Sequence, residues 1–298
     1  MITVIGSINL DLVANVGQLP RPGETVPGDG FKTSPGGKGA NQALAVKRAG
    51  GEVRMVGSVG QDAFADEALA CLREGLVDLS GVRESHSTTG TATIIVAKDG
   101  ENMIAVVPGA NGSLVPGDIK NVHLEKGDWL LLQHEIPMRT VKAALEEAKR
   151  VGATSILNTA PFRPEAAEFL QLADYVVANE TEFDAYADLK GIARDDRRAA
   201  MRELADRTGA TIVVTLGAAG VVAAVQGGML EAQGLKIEPV DTVGAGDTFC
   251  GYLAASLAEG MNLEDALRRA AVAGSLACLK PGAQPSIPQA KDVAEAMG

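Results

Sequence analysis

Short apolar runs alternate with longer stretches whose apolar positions recur every three or four residues, and this rhythm holds for most of the chain. The short runs fall at residues 2–5, 53–59, 129–132, 155–157, 175–178 and 211–215 and predict strands. Most are apolar at successive positions rather than at every second one, the pattern of strands covered on both faces. The longer stretches, at residues 40–49, 63–74, 139–151, 195–208, 248–259 and 263–277, predict helices. Gly50, Gly75, Gly152, Gly209 and Gly260 lie just beyond five of them, where a C-terminal cap is expected. Strand and helix in alternation predict an α/β fold, a doubly wound parallel sheet with helices on both faces.

Residues 12–35 and 88–108 break this rhythm. Alternation such as Thr91-Ala92-Thr93-Ile94-Ile95-Val96 predicts strands there without intervening helices. Paired into one small sheet, they form a lid over the C-terminal strand edge, where α/β folds bind ligands; left apart, they are ordinary surface hairpins. The lid reading divides the chain into a core of residues 1–11, 36–87 and 109–298 and a β lid of residues 12–35 and 88–108.

Composition narrows the range of partners. A chain of 298 residues can bury a substantial core, as one large domain or a core with a smaller appendage. The 27 Lys and Arg against 38 Asp and Glu give a net charge of −11. That balance opposes attraction to nucleic acid or anionic lipid, so neither a nucleic acid nor a membrane is an expected partner. A small anion is still admissible, because glycine loops and helix N-termini create local positive potential. Cys71, Cys250 and Cys278 show no paired spacing and read as buried free thiols, and His86, His123 and His134 show no metal-ligand interval. The opening strand has no basic leader and no apolar run is long enough for a bilayer, so a cytoplasmic location is expected.

The sharpest chemical signal is Asp241-Thr242-Val243-Gly244-Ala245-Gly246-Asp247, running onto the helix predicted at 248–259. Gly244 and Gly246 leave the backbone bare enough for its N–H groups to approach an anion, and the helix points its positive end at the same spot. Asp247 then stands where a substrate hydroxyl must lose its proton. An aspartate suffices as base there, because an alcohol proton becomes acidic as its oxygen bonds to phosphorus. The same residues also fit an aspartate N-cap on a glycine turn.

Other segments carry weaker signals. Gly36-Gly37-Lys38-Gly39-Ala40-Asn41-Gln42-Ala43 lacks the spacing of a Walker A loop. Its glycines allow a polar ligand to lie against the backbone, with donors from Lys38 and Asn41, or they merely punctuate a helix start. Asn9 and Asp11 face the same way in an extended chain and suit vicinal hydroxyls, or form a turn. Asn179-Glu180-Thr181-Glu182 offers oxygen ligands to a hydrated Mg²⁺, or an acidic helix start. Thr215 to Gly220 accommodates a nucleotide or joins two strands, and the loop from Lys280 to Ser286 aims carbonyls at a monovalent cation or is a proline-rich connector.

Taken in order, these segments together with Gly6-Ser7-Ile8-Asn9-Leu10-Asp11 resemble the PfkB-type carbohydrate kinases. The segments at 36–43 and 241–247 resemble the two signatures of that superfamily, and within it Asn9, Asp11 and the terminal Gly282-Ala283-Gln284-Pro285-Ser286 are similar to the ribokinases. The resemblance covers nearly the whole chain. It implies a Rossmann-like, ribokinase-like core with a four-stranded lid, a homodimer joined through the lids, and transfer of the ATP γ-phosphoryl group to the 5-hydroxyl of D-ribose. By the same resemblance Asp247 is the catalytic base, and Gly244, Ala245 and Gly246 form an anion hole. Asn9, Asp11, Gly37, Lys38, Asn41 and Glu135 join Asp247 in binding sugar. Asn179, Thr215, Leu216, Gly217, Ala218, Ala219 and Gly220 bind nucleotide with Gly246. Glu182 holds Mg²⁺ through water, and Asp241, Val243, Ala277, Lys280, Gly282 and Ser286 hold an activating K⁺, several through carbonyls alone. Two departures stand out: His134, where ribokinases commonly carry an apolar residue, bears on the sugar pocket wall, and Pro281 follows Lys280. The rival readings are a kinase for deoxyribose, a ketohexose, a sugar acid or a nucleoside, and a noncatalytic sugar sensor. A dinucleotide-dependent dehydrogenase is not met, since the segment after Ile5 lacks the second and third glycines of its fingerprint.

Overall fold

The computed structural model describes all 298 residues. The chain opens with β1 (Ile2–Ile5), β2 (Asn9–Val16), β3 (Gly28–Gly36), α1 (Lys38–Arg48), β4 (Val53–Gly60), α2 (Ala63–Ala68) and α3 (Ala70–Glu74). It continues through β5 (Asp78–Ser85), β6 (Gly90–Ala97), β7 (Asn102–Val107), α4 (Pro116–Ile119), β8 (Trp129–Leu132), α5 (Met138–Val151) and β9 (Thr154–Asn158). There follow β10 (Tyr175–Asn179), α6 (Glu180–Leu189), α7 (Arg197–Thr208), β11 (Thr211–Thr215), β12 (Val221–Val225) and β13 (Gly228–Ala232). The last elements are α8 (Ala245–Ala258), α9 (Leu263–Ala277) and α10 (Ala290–Met297).

Nine strands form the core sheet in the order β13-β12-β11-β10-β9-β8-β1-β4-β5. Successive residues in these strands are apolar because each faces a different layer of helices. Val4, Leu131, Ile156, Val177 and Val213 pack with α1, α8 and α9. Their neighbours Ile5, Leu130, Leu157, Val176 and Ile212 pack with α5, α6 and α7. The sheet is parallel from β5 to β11, but β12 and β13 run antiparallel at one edge. This corrects the wholly parallel expectation, and Gly220 and Gly227 account for it: at φ 89° and 84° they let the chain reverse without a crossover helix.

The chain moves outward from β1 through β4 to β5, then returns to the far side of β1 and proceeds from β8 to β13. That reversal opens a crevice at the C-terminal ends of β1 and β8, the place where open α/β sheets take ligands. Gly152 and Gly209 are left-handed C-caps as expected, but Gly75 has φ −75° and the positive φ falls on Leu76.

The segments that break the βα rhythm form a second, four-stranded sheet in the order β3-β2-β6-β7. It begins at Asn9, so Asn9 and Asp11 lie within it. Two ties root it. Thr89 donates from its N–H and its hydroxyl to the two carboxylate oxygens of Asp62, both at 2.7 Å. Asn111 pairs with the N–H and the carbonyl of Ile8 at 2.9 and 3.1 Å. No helix is long and apolar enough to cross a membrane.

Candidate active site

The start of α1 lies against the segment 6–11. A Cβ on Gly37 would come within 2.7 Å of the Asn9 nitrogen, one on Gly36 within 2.5 Å of Asp11 Oδ2, and one on Gly39 within 2.6 Å of the Gly6 carbonyl carbon. The glycines therefore also serve close packing of two chain segments. Held this way, Ser7 donates to Glu135 Oε2 at 2.5 Å, and the same oxygen accepts the Lys38 N–H at 3.0 Å. Asn9 Oδ1 accepts from Asn111 Nδ2 at 2.7 Å. The sequence-predicted sugar residues Asn9, Asp11, Gly37, Lys38, Asn41 and Glu135 thus gather around one end of the crevice.

Facing them is the start of α8. Gly244, at φ 78°, is its left-handed N-cap, and a Cβ there would lie 2.9 Å from the Ala283 Cα. The helix begins at Ala245 rather than at residue 248, so Asp247 sits inside the first turn and is not the N-cap. The N–H groups of Gly244, Gly246 and Asp247 have no partner in the chain, whereas that of Ala245 reaches the Thr242 carbonyl at 3.3 Å. Of the expected anion hole, two amides are free and the third is lightly engaged, and Asp247 adds its own. Asp247 is buried, and its carboxylate accepts from Asn41 Nδ2 on Oδ2 and from Gln42 Nε2 on Oδ1, both at 2.9 Å.

The local field is strongly acidic. Burial first, then Glu135 and Asp247, raises the Asp11 carboxyl to about 7. Asp247 foremost, with Glu135 and Glu182, holds the Lys38 ammonium above the usual lysine range against the opposing effect of burial. Burial also raises Glu182 and pushes the Cys250 thiol well up, so Cys250 is protonated and no nucleophile. Glu135, Glu182 and Asp247 thus face Lys38 as the one nearby ammonium, with Asp11 beside Glu135 and Asp247. A polyphosphate enters such a site only with counter-cations and N–H donors to offset the repulsion.

Two cavities meet at the start of α8. A polar one of about 230 Å³ is lined by Lys38, Asn179, Glu182, Asp247 and the carboxamide of Asn158, among others. A larger one of about 400 Å³ has apolar walls from Leu235, Ile237, Pro239, Phe249 and Ala271, with Gly217, Ala218 and Gly220 at its side. Thr215, Thr242 and Gly246 belong to both. A flat apolar slot opening onto a polar chamber suits a base joined to phosphates. Leu216 and Ala219, expected with their neighbours at a nucleotide, line neither cavity. Leu216 packs against the core, and the Ala219 carbonyl accepts from Gln233 at 3.1 Å.

Asn179 and Glu182 form a capping box on α6: Asn179 Oδ1 accepts the Glu182 N–H at 2.8 Å and Glu182 Oε2 accepts the Asn179 N–H at 3.0 Å. The acidic helix start and the cavity-lining acid are therefore one feature, with Glu182 Oε1 still unbound. Asp241 draws two loops together, accepting the Val243 N–H at 3.0 Å and the Gly282 N–H at 2.8 Å. Nearby, the carbonyls of Val243, Lys280 and Gly282 accept no backbone donor, that of Ala277 accepts Lys280 at 3.4 Å, and Ser286 is buried with its hydroxyl on the Ala283 carbonyl. No group of three or more His, Cys, Asp or Glu side chains is placed to hold a metal directly.

His134, expected to bear on the sugar pocket wall, is buried. It lines neither cavity, its Nδ1 lies 3.1 Å from the Pro161 carbonyl, and burial lowers it to about 4, so it is neutral near pH 7. Sequence reasoning missed Gln42, Asn111, Gln133, Asn158, Thr242 and the wall at 235–239. For Gln42 a signal existed, a second amide beside Asn41 in an alanine-rich helix; for Asn111 there was none.

The family described as pfkB family carbohydrate kinase matches residues 1–290. A ribokinase of Bacillus subtilis is 38% identical over 297 residues, covering 99% of this chain and 98% of that protein. A deoxyribokinase of Salmonella typhi is 34% identical over 291 residues, 96% of this chain and 95% of that protein. The structure of an Arabidopsis thaliana ribokinase complexed with ribose and ATP is similar with a TM-score of 0.88 at 31% identity, covering 99% of this chain and 97% of that one.

Proposed function

The chain belongs to the pfkB family of carbohydrate kinases, and on that premise we propose that it transfers the γ-phosphoryl group of ATP to the 5-hydroxyl of D-ribose, giving ribose 5-phosphate and ADP. The observation that carries this is the buried Asp247 carboxylate in the first turn of α8, beside the free N–H groups of Gly244 and Gly246. The larger cavity takes the nucleoside and the polar chamber the phosphates, and the sugar lies among Asn9, Asp11, Lys38, Asn41 and Glu135. Asp247 accepts the 5-hydroxyl proton as the sugar oxygen bonds to phosphorus and the bond to ADP breaks. The N–H groups at the front of α8, with the helix dipole behind them, hold the charge that spreads over the phosphoryl oxygens.

The donor set fits a hydrated divalent cation rather than a protein cage. Glu182 Oε1 supplies carboxylate oxygen in a chamber with room for water, so Glu182 would hold Mg²⁺ through water. When bound, Mg²⁺ neutralises charge on the bridging phosphates. The unpartnered carbonyls of Val243, Lys280 and Gly282, with Asp241, Ala277 and Ser286, fit K⁺. The second sheet acts as a lid over the sugar, and its exposed Phe31, Met103, Ile104, Val106 and Val107 are the surface for a second copy of the chain.

Asp247→Ala, assayed with ribose and MgATP, is expected to lose at least about 100-fold in turnover, since a positioned base typically contributes 10²–10⁴. Retention of more than about a hundredth of wild-type turnover would contradict the base role.

A further inference from the structure

Behind Asp247 runs a chain of buried amides. Gln42 is fully buried at the start of the second turn of α1, next to Asn41. Its Nε2 lies 2.9 Å from Asp247 Oδ1 and 3.2 Å from Asn158 Oδ1, and its Oε1 lies 2.6 Å from Gln133 Nε2. The two ends of a side-chain amide are distinguished by the bonds they make, and here the NH₂ end decides, lying between Asp247 Oδ1 and Asn158 Oδ1, whereas Gln133, whose Oε1 has no partner, is not itself fixed from behind. Asn158 presents its oxygen because its own Nδ2 donates to the Val177 carbonyl at 3.3 Å. Reversing Gln42 would set its oxygen against two acceptors and its NH₂ against another NH₂. Asn41 is held differently. It donates to Asp247 Oδ2 at 2.9 Å, but its Oδ1 has no partner, so nothing fixes that amide from behind.

We infer that Gln42 is the positioning residue of the transfer, a fixed donor that keeps Asp247 Oδ1 in place, while Asn41 is an exchangeable donor that yields Oδ2 to the sugar hydroxyl. This rests on the sugar-kinase reading of Asp247. As Asn41 turns to the sugar, the 5-hydroxyl takes its place on Oδ2. The proton passes to that oxygen while the sugar oxygen bonds to phosphorus and the bond to ADP breaks. Gln42, its NH₂ held on Asn158 and its oxygen on Gln133 Nε2, holds the carboxylate plane throughout. The charged or titratable groups facing Asp247 are Lys38 on α1, Asp11 on β2, Glu182 on α6 and Cys250 on its own helix. Gln42 is uncharged, so replacing it with methionine leaves their charges unchanged.

The test is steady-state kinetics across pH for wild type, Asp247→Asn, Gln42→Met and Gln133→Met, with melting curves to establish folding. Gln42→Met is expected to lower kcat about 10- to 100-fold with the KM for ATP within about twofold. Its acidic limb should move to higher pH, because a lost donor no longer favours the ionised carboxylate. Gln133→Met, which frees Gln42 to rotate, should shift the limb in the same direction with a drop of about two- to fivefold. If wild type forms no ADP with sugar, or Asp247→Asn is as active, the kinase reading itself fails. If wild type works through Asp247 while a folded Gln42→Met keeps its kcat and pH profile, that reading stands and the positioning role is overturned. Should Gln42→Met fail to fold, Gln133→Met decides by the same criteria.

Discussion

β11 reads Thr-Ile-Val-Val-Thr and β7 reads Asn-Met-Ile-Ala-Val-Val, yet Ile212, Val213 and Val214 are wholly buried whereas every residue of β7 is exposed. The residue types barely differ; what differs is the layer above and below. In the core sheet, helices cover both faces, so each apolar side chain gains burial from within the chain. No element of the chain does this for β7. Apolar composition therefore predicts a strand in both places, but burial follows only where the chain itself supplies a covering layer.

The contrast is broken most forcefully from the core side. Leu131, fully buried in β8, should cost about 2–5 kcal/mol when changed to alanine, measured by denaturant unfolding. A loss below about 1 kcal/mol would mean that the core is not packed as described.

Asp11 tests the inner face of the second sheet, with an intermediate effect. Its folded value of about 7 stands above the ordinary 3.8, raised by burial and by Glu135 and Asp247. Below 3.8 the group is protonated whether folded or not; from there to about 7 only the folded chain keeps the proton, so stability falls as pH rises through that window. Asp11→Asn should then melt with wild type near pH 4 and above it at pH 8, while its KM for ribose rises because an acceptor for the sugar is lost. Equal melting temperatures at pH 8 would remove Asp11 from the buried site.

The smallest effect on the chain itself is expected at Ile104. Changing this exposed residue to serine should alter unfolding free energy by less than about 0.5 kcal/mol. In sedimentation it should nonetheless shift the chain from dimer toward monomer. A wild type that sediments as a monomer at every concentration would leave the exposed face without its proposed occupant.

How far the sequence was legible follows the same line. Strands such as β8 and β11 announced themselves because double burial demands unbroken apolar runs. β5, Asp-Leu-Ser-Gly-Val-Arg-Glu-Ser, did not, because an edge strand keeps polar residues. A join of two strands was one reading of the glycines at 215–220, but the antiparallel direction of β12 and β13 was not legible, because it depends on two turn glycines rather than on composition. At the site, Asp247 and its glycines could be read from their spacing. Gln42, Gln133 and Asn158 could not, since their meaning lies in contacts between residues distant in the chain, which carry no local pattern. The close packing of the glycines of 36–39 was not legible, because the chain that fills their space comes from residues 6–11.

The most direct test of the central claim is to incubate the protein with MgATP and, in turn, ribose, 2-deoxyribose, 5-deoxyribose and adenosine, following ADP and identifying the phosphorylated carbon by NMR. Ribose should react fastest and carry phosphate on C5, 2-deoxyribose should be slower for want of one hydroxyl, and 5-deoxyribose should give no sugar phosphate. Phosphorylation of 5-deoxyribose, or a preference for 2-deoxyribose or adenosine over ribose, would contradict the account.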